Sequence, residues 1–234
     1  MPRSWAVVPA AGRGRRMGAA VAKKYLPLCG RSVLAHALGP LLDCTRIEAV
    51  VLVVGPDDAR WQESIPKDDR LLIAHGGAER FHSVANGLER LGDRADDEDW
   101  VLVHDAARPC LARAELEHLF EVLQDDAVGG LLAVPLADTL KAADEHGRVE
   151  RTVPRAQLWR ALTPQMFRYG LLKRALSAAI AAGMAVTDEA SAIEYAGHRP
   201  LLVEGRAANL KVTGPEDLAL AEAVLRRREE GACA

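Results

Sequence analysis

A nearly unbroken apolar run, Glu48 to Val54 (EAVVLVV), sets the tightest limit on what this chain can fold into. A strand with one face in water alternates apolar and polar residues. This one does not alternate, so both of its faces must be covered. Gly55 and Pro56 close it. Shorter runs of the same kind recur at Ala6 to Val8, Arg70 to His75 (RLLIAH), Trp100 to His104 (WVLVH) and Gly130 to Val134. Helical patterns lie between them. Ser32 suits the N-cap of a helix running to about Asp43. Phe81, Val84, Leu88 and Leu91 recur at helical spacing within 80–91. A short helix falls near Asp57 to Ser64 and another at Leu116 to Leu123. Alternation of this kind builds βαβ units, hence an α/β protein with a mainly parallel sheet between two helical layers.

The remaining stretches complete that expectation. The acidic run Arg94 to Asp99 reads as a solvated loop. Gln165 to Ala182 reads as a helix, and Thr187 as the cap of another that Gly197 stops. Pro200 to Glu204 and Asn209 to Val212 read as short strands, and Pro215 opens a terminal helix. Residues 136–156 are charged and poor in apolar side chains, with a turn near Glu145 to Gly147. They are either two extended segments projecting from the body or a disordered loop. With no internal repeat and no linker rich in Pro, Gly or Ser, 1–234 reads as a single domain carrying 136–156 as an arm.

In a parallel sheet, ligands bind outside the carboxyl ends of the strands. That rule gathers Ala10 to Met17, Gly76-Gly77 and His104 to Arg108 along one edge. The first of these loops is rich in glycine and is followed closely by cations: Arg13, Arg15, Arg16, Lys23 and Lys24. Bare backbone N–H groups and nearby Lys/Arg are what phosphates require. Two familiar phosphate loops do not fit. No Gly-Lys-Ser/Thr follows Gly12, so this is not a P-loop. Gly12-Arg13-Gly14-Arg15-Arg16 runs into Met17, with Gly18 one place late for the dinucleotide fingerprint, which excludes a Rossmann oxidoreductase. A surface loop of solvated arginines remains the bland alternative.

Asp105 ends a buried strand, and a carboxylate there needs a partner. Mg²⁺, which prefers one or two carboxylates plus phosphate oxygens, is one; a role as a loop cap is the other. Arg108 is placed to grip a phosphate. Lys211 alternates with Leu210 and Val212, so it faces away from them, either into solvent or into the cationic edge. No nucleophile–base pair is evident, because His104 and Asp105 are strand neighbours that point to opposite faces. Seven histidines show no metal spacing. Cations, one loop-end carboxylate and glycine loops suit phosphoryl or nucleotidyl transfer, where positioning and electrostatics do the work.

Composition removes other classes. A net charge of −3 argues against wholesale nucleic-acid binding, and no apolar run reaches the roughly 20 residues of a membrane span. Cys29, Cys44, Cys110 and Cys233 are scattered without a C-x-x-C pair, which speaks against zinc and for reduced thiols. The N-terminal apolar run is broken by Pro9, so no signal peptide and a cytoplasmic location are expected.

Several motifs act together. They are Pro9-Ala10-Ala11-Gly12-x-Gly14-x-Arg16-Met17, Lys23-x-Tyr25, Gly76-Gly77-x-Glu79-Arg80 with Ser83, and His104-Asp105-Ala106-Ala107-Arg108-Pro109. Further on come Asp138-Thr139-x-Lys141, Leu162-Thr163-Pro164-Gln165, Thr187-Asp188-Glu189-Ala190, and Asn209-x-Lys211-Val212-Thr213 before Pro215-Glu216-Asp217. From about Trp5 to Leu225 the chain resembles the 2-C-methyl-D-erythritol 4-phosphate cytidylyltransferases of the non-mevalonate isoprenoid route. The resemblance implies a Rossmann-like nucleotidyltransferase fold and transfer of CMP from CTP to the sugar-alcohol phosphate with Mg²⁺, releasing pyrophosphate. It implies that Arg16, Lys23 and Lys211 are catalytic. It gives Ala10, Ala11, Gly12, Gly14, Gly77, Ala78, Ser83 and Ala106 to the nucleotide, and Arg108, Thr163 and Thr187 to the substrate. Asp105 would contact Mg²⁺ or substrate. The 136–156 arm would dimerise the chain and deliver Thr139 and Arg155 to the partner's substrate phosphate. Arg13, Arg15 and Lys24 are left as solvent-facing charges. Ala22, Ala78 and Ala208 depart from residues common among relatives (proline, aspartate and a polar residue), and none of these removes a catalytic side chain. A ribitol 5-phosphate cytidylyltransferase is the nearest alternative, and a non-catalytic nucleotide-binding regulator another. No second catalytic segment follows Leu225, so a fused bifunctional form is not expected.

Overall fold

The computed structural model describes residues 2–12 and 22–232. In chain order the elements are β1 (Ser4–Pro9), a 3₁₀ turn (Lys23–Tyr25), β2 (Pro27–Leu28), β3 (Arg31–Ser32), α1 (Val33–Leu42), β4 (Ile47–Val54), α2 (Trp61–Ser64) and β5 (Leu71–His75). Then come α3 (Arg80–Leu91), β6 (Trp100–Val103), α4 (Arg113–Leu123), β7 (Gly129–Pro135), β8 (Leu140–Ala143) and β9 (Val149–Val153). The chain continues through β10 (Trp159–Arg168), α5 (Tyr169–Ala181), α6 (Glu189–Tyr195), β11 (Leu201–Glu204) and α7 (Pro215–Ala232). Ser32 caps α1 as expected, its Oγ accepting from the Ala35 amide at 3.0 Å.

Seven strands form one sheet in the order β11-β7-β10-β6-β1-β4-β5. β1 pairs parallel with β4 and β6, β4 with β5, and β7 with β11, whereas β10 runs antiparallel to both β6 and β7. The strands are covered on both sides, which is why β4 carries no polar face. Val50, Leu52 and Val54 pack with α1 and α4 on one side, and Val51 and Val53 with α3 and α5 on the other. Gly87 makes the second packing possible, since a Cβ there would lie 2.5 Å from Val7 Cγ1.

Four expectations need correction. The segment 165–168 is the end of β10, and the helix begins only at Tyr169. Gln165 and Met166 pair with Val103 and Leu102, so sheet hydrogen bonds outweigh a pattern that looked helical from sequence. The ladder to β7 slips between Ala161 and Gln165, where Pro164 can give no N–H. Second, 209–212 is irregular, held by the Val212 amide donating to the Ala107 carbonyl at 2.8 Å. Third, Asp188 rather than Thr187 caps α6, its Oδ1 accepting from the Ser191 amide at 3.0 Å. Fourth, the acidic loop is not wholly solvated, because Asp99 is buried and accepts from Trp5 Nε1 at 2.9 Å.

β8 and β9 pair only with each other, as a separate two-stranded hairpin turning at Gly147 with φ 74°. None of their residues is buried. Within 136–156, the two extended segments are therefore paired strands around a turn.

Candidate active site

The loops at the carboxyl ends of β1, β4, β5 and β6 line a cleft of about 1160 Å³, together with 22–25 and 211–213. Among its walls are Ala10, Ala11, Gly12, Gly77, Ala78, Ser83 and Ala106, so the described members of the expected nucleotide set do converge. Gly14 and Arg16 lie outside the described residues. Close approach explains the glycine at 76, since a Cβ there would fall 2.2 Å from Ala11 Cβ and 2.8 Å from Ser83 Oγ. Ser83 holds this corner by accepting from the Gly77 amide at 3.2 Å. Ala10 has less to offer a base than its neighbours: its amide is spent on the Val53 carbonyl at 2.7 Å, and its carbonyl accepts from Lys24 Nζ.

Asp105 is the electrostatic centre. Its Oδ2 lies 2.8 Å from Lys211 Nζ and 3.7 Å from Arg108 Nε, and its Oδ1 lies 3.0 Å from Arg80 Nη2. Burial by itself would raise the Asp105 pKa. Arg80 and Lys211, with help from Arg108, overcome that and hold the carboxyl well below the usual carboxylate range. Arg80 in turn is gripped by the fully buried Glu189, through contacts of 2.6 and 3.1 Å. Burial pushes Glu189 up, and the Arg80 guanidinium opposes the push. Arg80 stood within a quoted motif yet drew no role from sequence. Its significance depends on Glu189, 109 positions away, which only the fold brings near.

His104 and Thr163 support Asp105 from beneath. His104 Nε2 lies 3.1 Å from the Arg108 carbonyl, which only accepts, so this nitrogen carries the ring proton. Nδ1 must then accept from Thr163 Oγ1, 2.9 Å away. The same hydroxyl accepts from the Asp105 amide at 3.1 Å. Thr163 is therefore buried and occupied in orienting Asp105, and it does not line the cleft. Arg108 is buried beside it, donating to the Asn209 carbonyl at 2.7 Å. Its Nε has no hydrogen-bond partner among the described residues, which leaves a donor beside Asp105.

Lys211 and Lys23 both line the cleft. Lys23 Nζ donates to the carbonyl of Thr213, two places beyond Lys211, and makes no ion pair among the described residues. The Asp217 pKa is lowered by hydrogen bonds from Thr213 and Gly214 and, to a lesser degree, by the Lys23 charge. Thr187 is exposed at the foot of α6, and Thr139 and Arg155 are exposed at the base of the hairpin, where Arg155 donates to the Ala137 carbonyl. None of these three lines the cleft.

Mg²⁺ does not fit on Asp105 as the residue stands. Both of its oxygens face cations, and a metal would have to displace Lys211 and approach two guanidinium groups. Among the described residues no cluster of three or more His, Cys, Asp or Glu could hold an ion. Lys24 also differs from expectation. It is buried and paired with Asp58 at 2.6 Å rather than facing solvent.

Comparison with known proteins meets this geometry at the family level. The IspD family model, 2-C-methyl-D-erythritol 4-phosphate cytidylyltransferase, matches residues 5–227. A protein of that name from Pseudomonas fluorescens is 54% identical over 220 residues, covering 93% of this chain and 94% of its own. The relative from Pseudomonas entomophila is likewise 54% identical over 220 residues, with the same coverage. Among solved structures, a 4-diphosphocytidyl-2C-methyl-D-erythritol synthase superposes with a TM-score of 0.83 at 39% identity, covering 96% of this chain and 99% of that one. The Thermus thermophilus 2-C-methyl-D-erythritol 4-phosphate cytidylyltransferase gives 0.78 at 34% identity, covering 97% and 100%. With a family model spanning nearly its whole length and relatives above half identity, this chain belongs to the 2-C-methyl-D-erythritol 4-phosphate cytidylyltransferase family.

Proposed function

We propose that this protein transfers CMP from CTP to 2-C-methyl-D-erythritol 4-phosphate, forming 4-diphosphocytidyl-2-C-methyl-D-erythritol and pyrophosphate in isoprenoid precursor synthesis. The observation that carries the reading is the cleft where Lys23 and the Lys211–Asp105 pair stand beside the glycine loops of β1 and β5. A phosphate oxygen of the acceptor attacks the α-phosphorus of CTP in line, the bond to the bridging oxygen breaks, and pyrophosphate leaves with the electron pair. The nucleophile is already ionised, so no general base is needed, in keeping with a site that has cations and no nucleophile–base pair. Lys23 and Lys211 neutralise the charge that develops on the phosphoryl oxygens, and Arg16 is assigned to the same task from its motif.

Asp105 binds the acceptor, with Arg108 and Thr163, neither of which lines the cleft, acting through it, and Thr187 from the foot of α6. Mg²⁺, where bound, would supply countercharge to the triphosphate, and Asp105, whose oxygens face Lys211, Arg80 and Arg108, is not proposed to hold it. Thr139 and Arg155 serve a second copy of the chain in a homodimer built on the hairpin. Their exposure, outside the cleft of their own chain, supports that reading. No helix among the described residues is long and apolar enough to cross a membrane.

The test is CTP-dependent pyrophosphate release with methylerythritol phosphate and with ribitol 5-phosphate, side by side. Turnover confined to the first is expected. Preference for ribitol phosphate would overturn the acceptor assignment, and CTP binding without turnover on either would overturn the reaction.

A further inference from the structure

Lys24 is the x of the Lys-x-Tyr motif, and a role at the triphosphate loop explains its setting. Its side chain is only 7% exposed, against 45% for Lys211. Withdrawing an ammonium from water costs several kcal/mol after relaxation, and one carboxylate rarely gives a net gain over an apolar side chain of the same size. Stability alone is thus a weak reason for a lysine here. What the ammonium does is join three segments. It donates to the carbonyl of Ala10, where β1 gives way to the phosphate loop, and it pairs with Asp58 in the loop after β4. Its own backbone lies in the 3₁₀ turn that carries Lys23. Tyr25 closes the set, its hydroxyl donating to the same Asp58 oxygen at 2.8 Å.

Ala10 and the turn that carries Lys23 are therefore fastened to each other and to the loop after β4 through one charged group. The Ala10 end leads directly into Ala11 and Gly12 on the cleft wall, and the other end presents Lys23. We infer that Lys24 is a positioning residue for the nucleotide. By clasping the Ala10 carbonyl and Asp58, it sets the distance between the backbone that meets the nucleotide and the lysine that meets its phosphates. Displacements near 1 Å in such a set cost up to about a hundredfold in rate. This inference rests on the proposed reaction only in taking CTP as the ligand.

The experiment compares wild type, Lys24→Met and the double variant Lys24→Met/Asp58→Asn. It measures CTP binding by calorimetry, KM for CTP and for the acceptor separately, and the thermal midpoint. Lys24→Met leaves Asp58 without its cation, whereas the double variant removes the orphaned charge. Recovery of the midpoint in the double variant, with CTP affinity and KM for CTP still weakened about tenfold or more and acceptor KM within twofold, is the expected result. A purely structural role would lower kcat through the folded fraction and leave both KM values unchanged, and that result overturns the inference. So does CTP affinity restored together with the midpoint, or CTP affinity within twofold of wild type in Lys24→Met. Failure of the wild type itself to bind CTP would overturn the proposed reaction as well, which separates the two outcomes.

Discussion

Lys211 Nζ lies 2.8 Å from Asp105 Oδ2, yet the two side chains stand in unlike surroundings: the lysine is 45% exposed and the aspartate 10%. Screening by water limits what the pair contributes to stability from the lysine's side, to about 1 kcal/mol or less. The same ammonium lines the cleft, and under the proposed reaction it would act on the charge that grows in the transition state. Lys211→Met should therefore shift the denaturation midpoint slightly while lowering turnover about a hundred- to a thousandfold. Lys23→Ala should show a loss of the same order. Steady-state pyrophosphate release alongside urea denaturation measures both, and near-normal turnover with CTP bound would remove either residue from the catalytic set.

Asp105→Asn is expected to behave in the opposite manner. It leaves Arg108 buried without a countercharge and halves the acidic partners of Arg80, which keeps Glu189. Breaking a buried pair from one side costs about 3 to 5 kcal/mol, reduced here because Lys211 reaches water. A destabilisation of about 2 to 4 kcal/mol in chemical denaturation is expected. An unchanged midpoint would mean that Asp105 is not the hub its contacts describe.

The His104 imidazole gives a pH signature. Burial is the largest influence on it and lowers its pKa from 6.5 to about 4, against weaker opposition from its hydrogen bonds and Asp105. Between those values the unfolded chain takes a proton that the folded chain refuses, so stability falls as pH drops from about 6.5 towards 4 and levels off below. The full loss is roughly 3 kcal/mol. Asp105 adds a loss of the same sign only below the ordinary carboxylate range, because its folded pKa is depressed. Urea midpoints between pH 8 and pH 4, for wild type and His104→Asn, should show a drop in the first that is much smaller in the second. Parallel curves would exclude His104 as the source.

Deletion of 138–151 removes the hairpin while leaving every described residue of the cleft wall in place. The shortened chain should sediment as a monomer and lose activity, since Thr139 goes with the hairpin and Arg155 loses its setting. A fully active monomer would refute a site shared between subunits.

What could be read from the sequence followed from local rules. The unbroken apolar run of β4, the Ser32 cap and the turn before Gly147 each need only their neighbours, and each was found where expected. Segments decided by distant partners were misread. Residues 165–168 looked helical because nothing local announces that β6 and β7 lie on either side of them. Lys24 looked like one more surface cation, because the carboxylate that draws it inward is 34 positions away. Arg80 and Glu189 were passed over for the same reason. Glycine loops and motif cations declare a phosphate site from sequence; the residues that hold those groups still are recognised only once the chain has folded around them.

The hairpin is joined to the body by two short segments, 136–139 and 154–158. The Leu136 amide donates to the Leu158 carbonyl at 3.0 Å directly beyond the ladder of β7 and β10, so the two segments leave the sheet side by side from adjacent strands. β10 then runs on to Thr163, whose hydroxyl fixes the backbone of Asp105. A load applied at the tip would reach Thr163 along β10 and pass to the Asp105 backbone through a single hydrogen bond. Whatever grips the arm therefore pulls on the strand that orients Asp105.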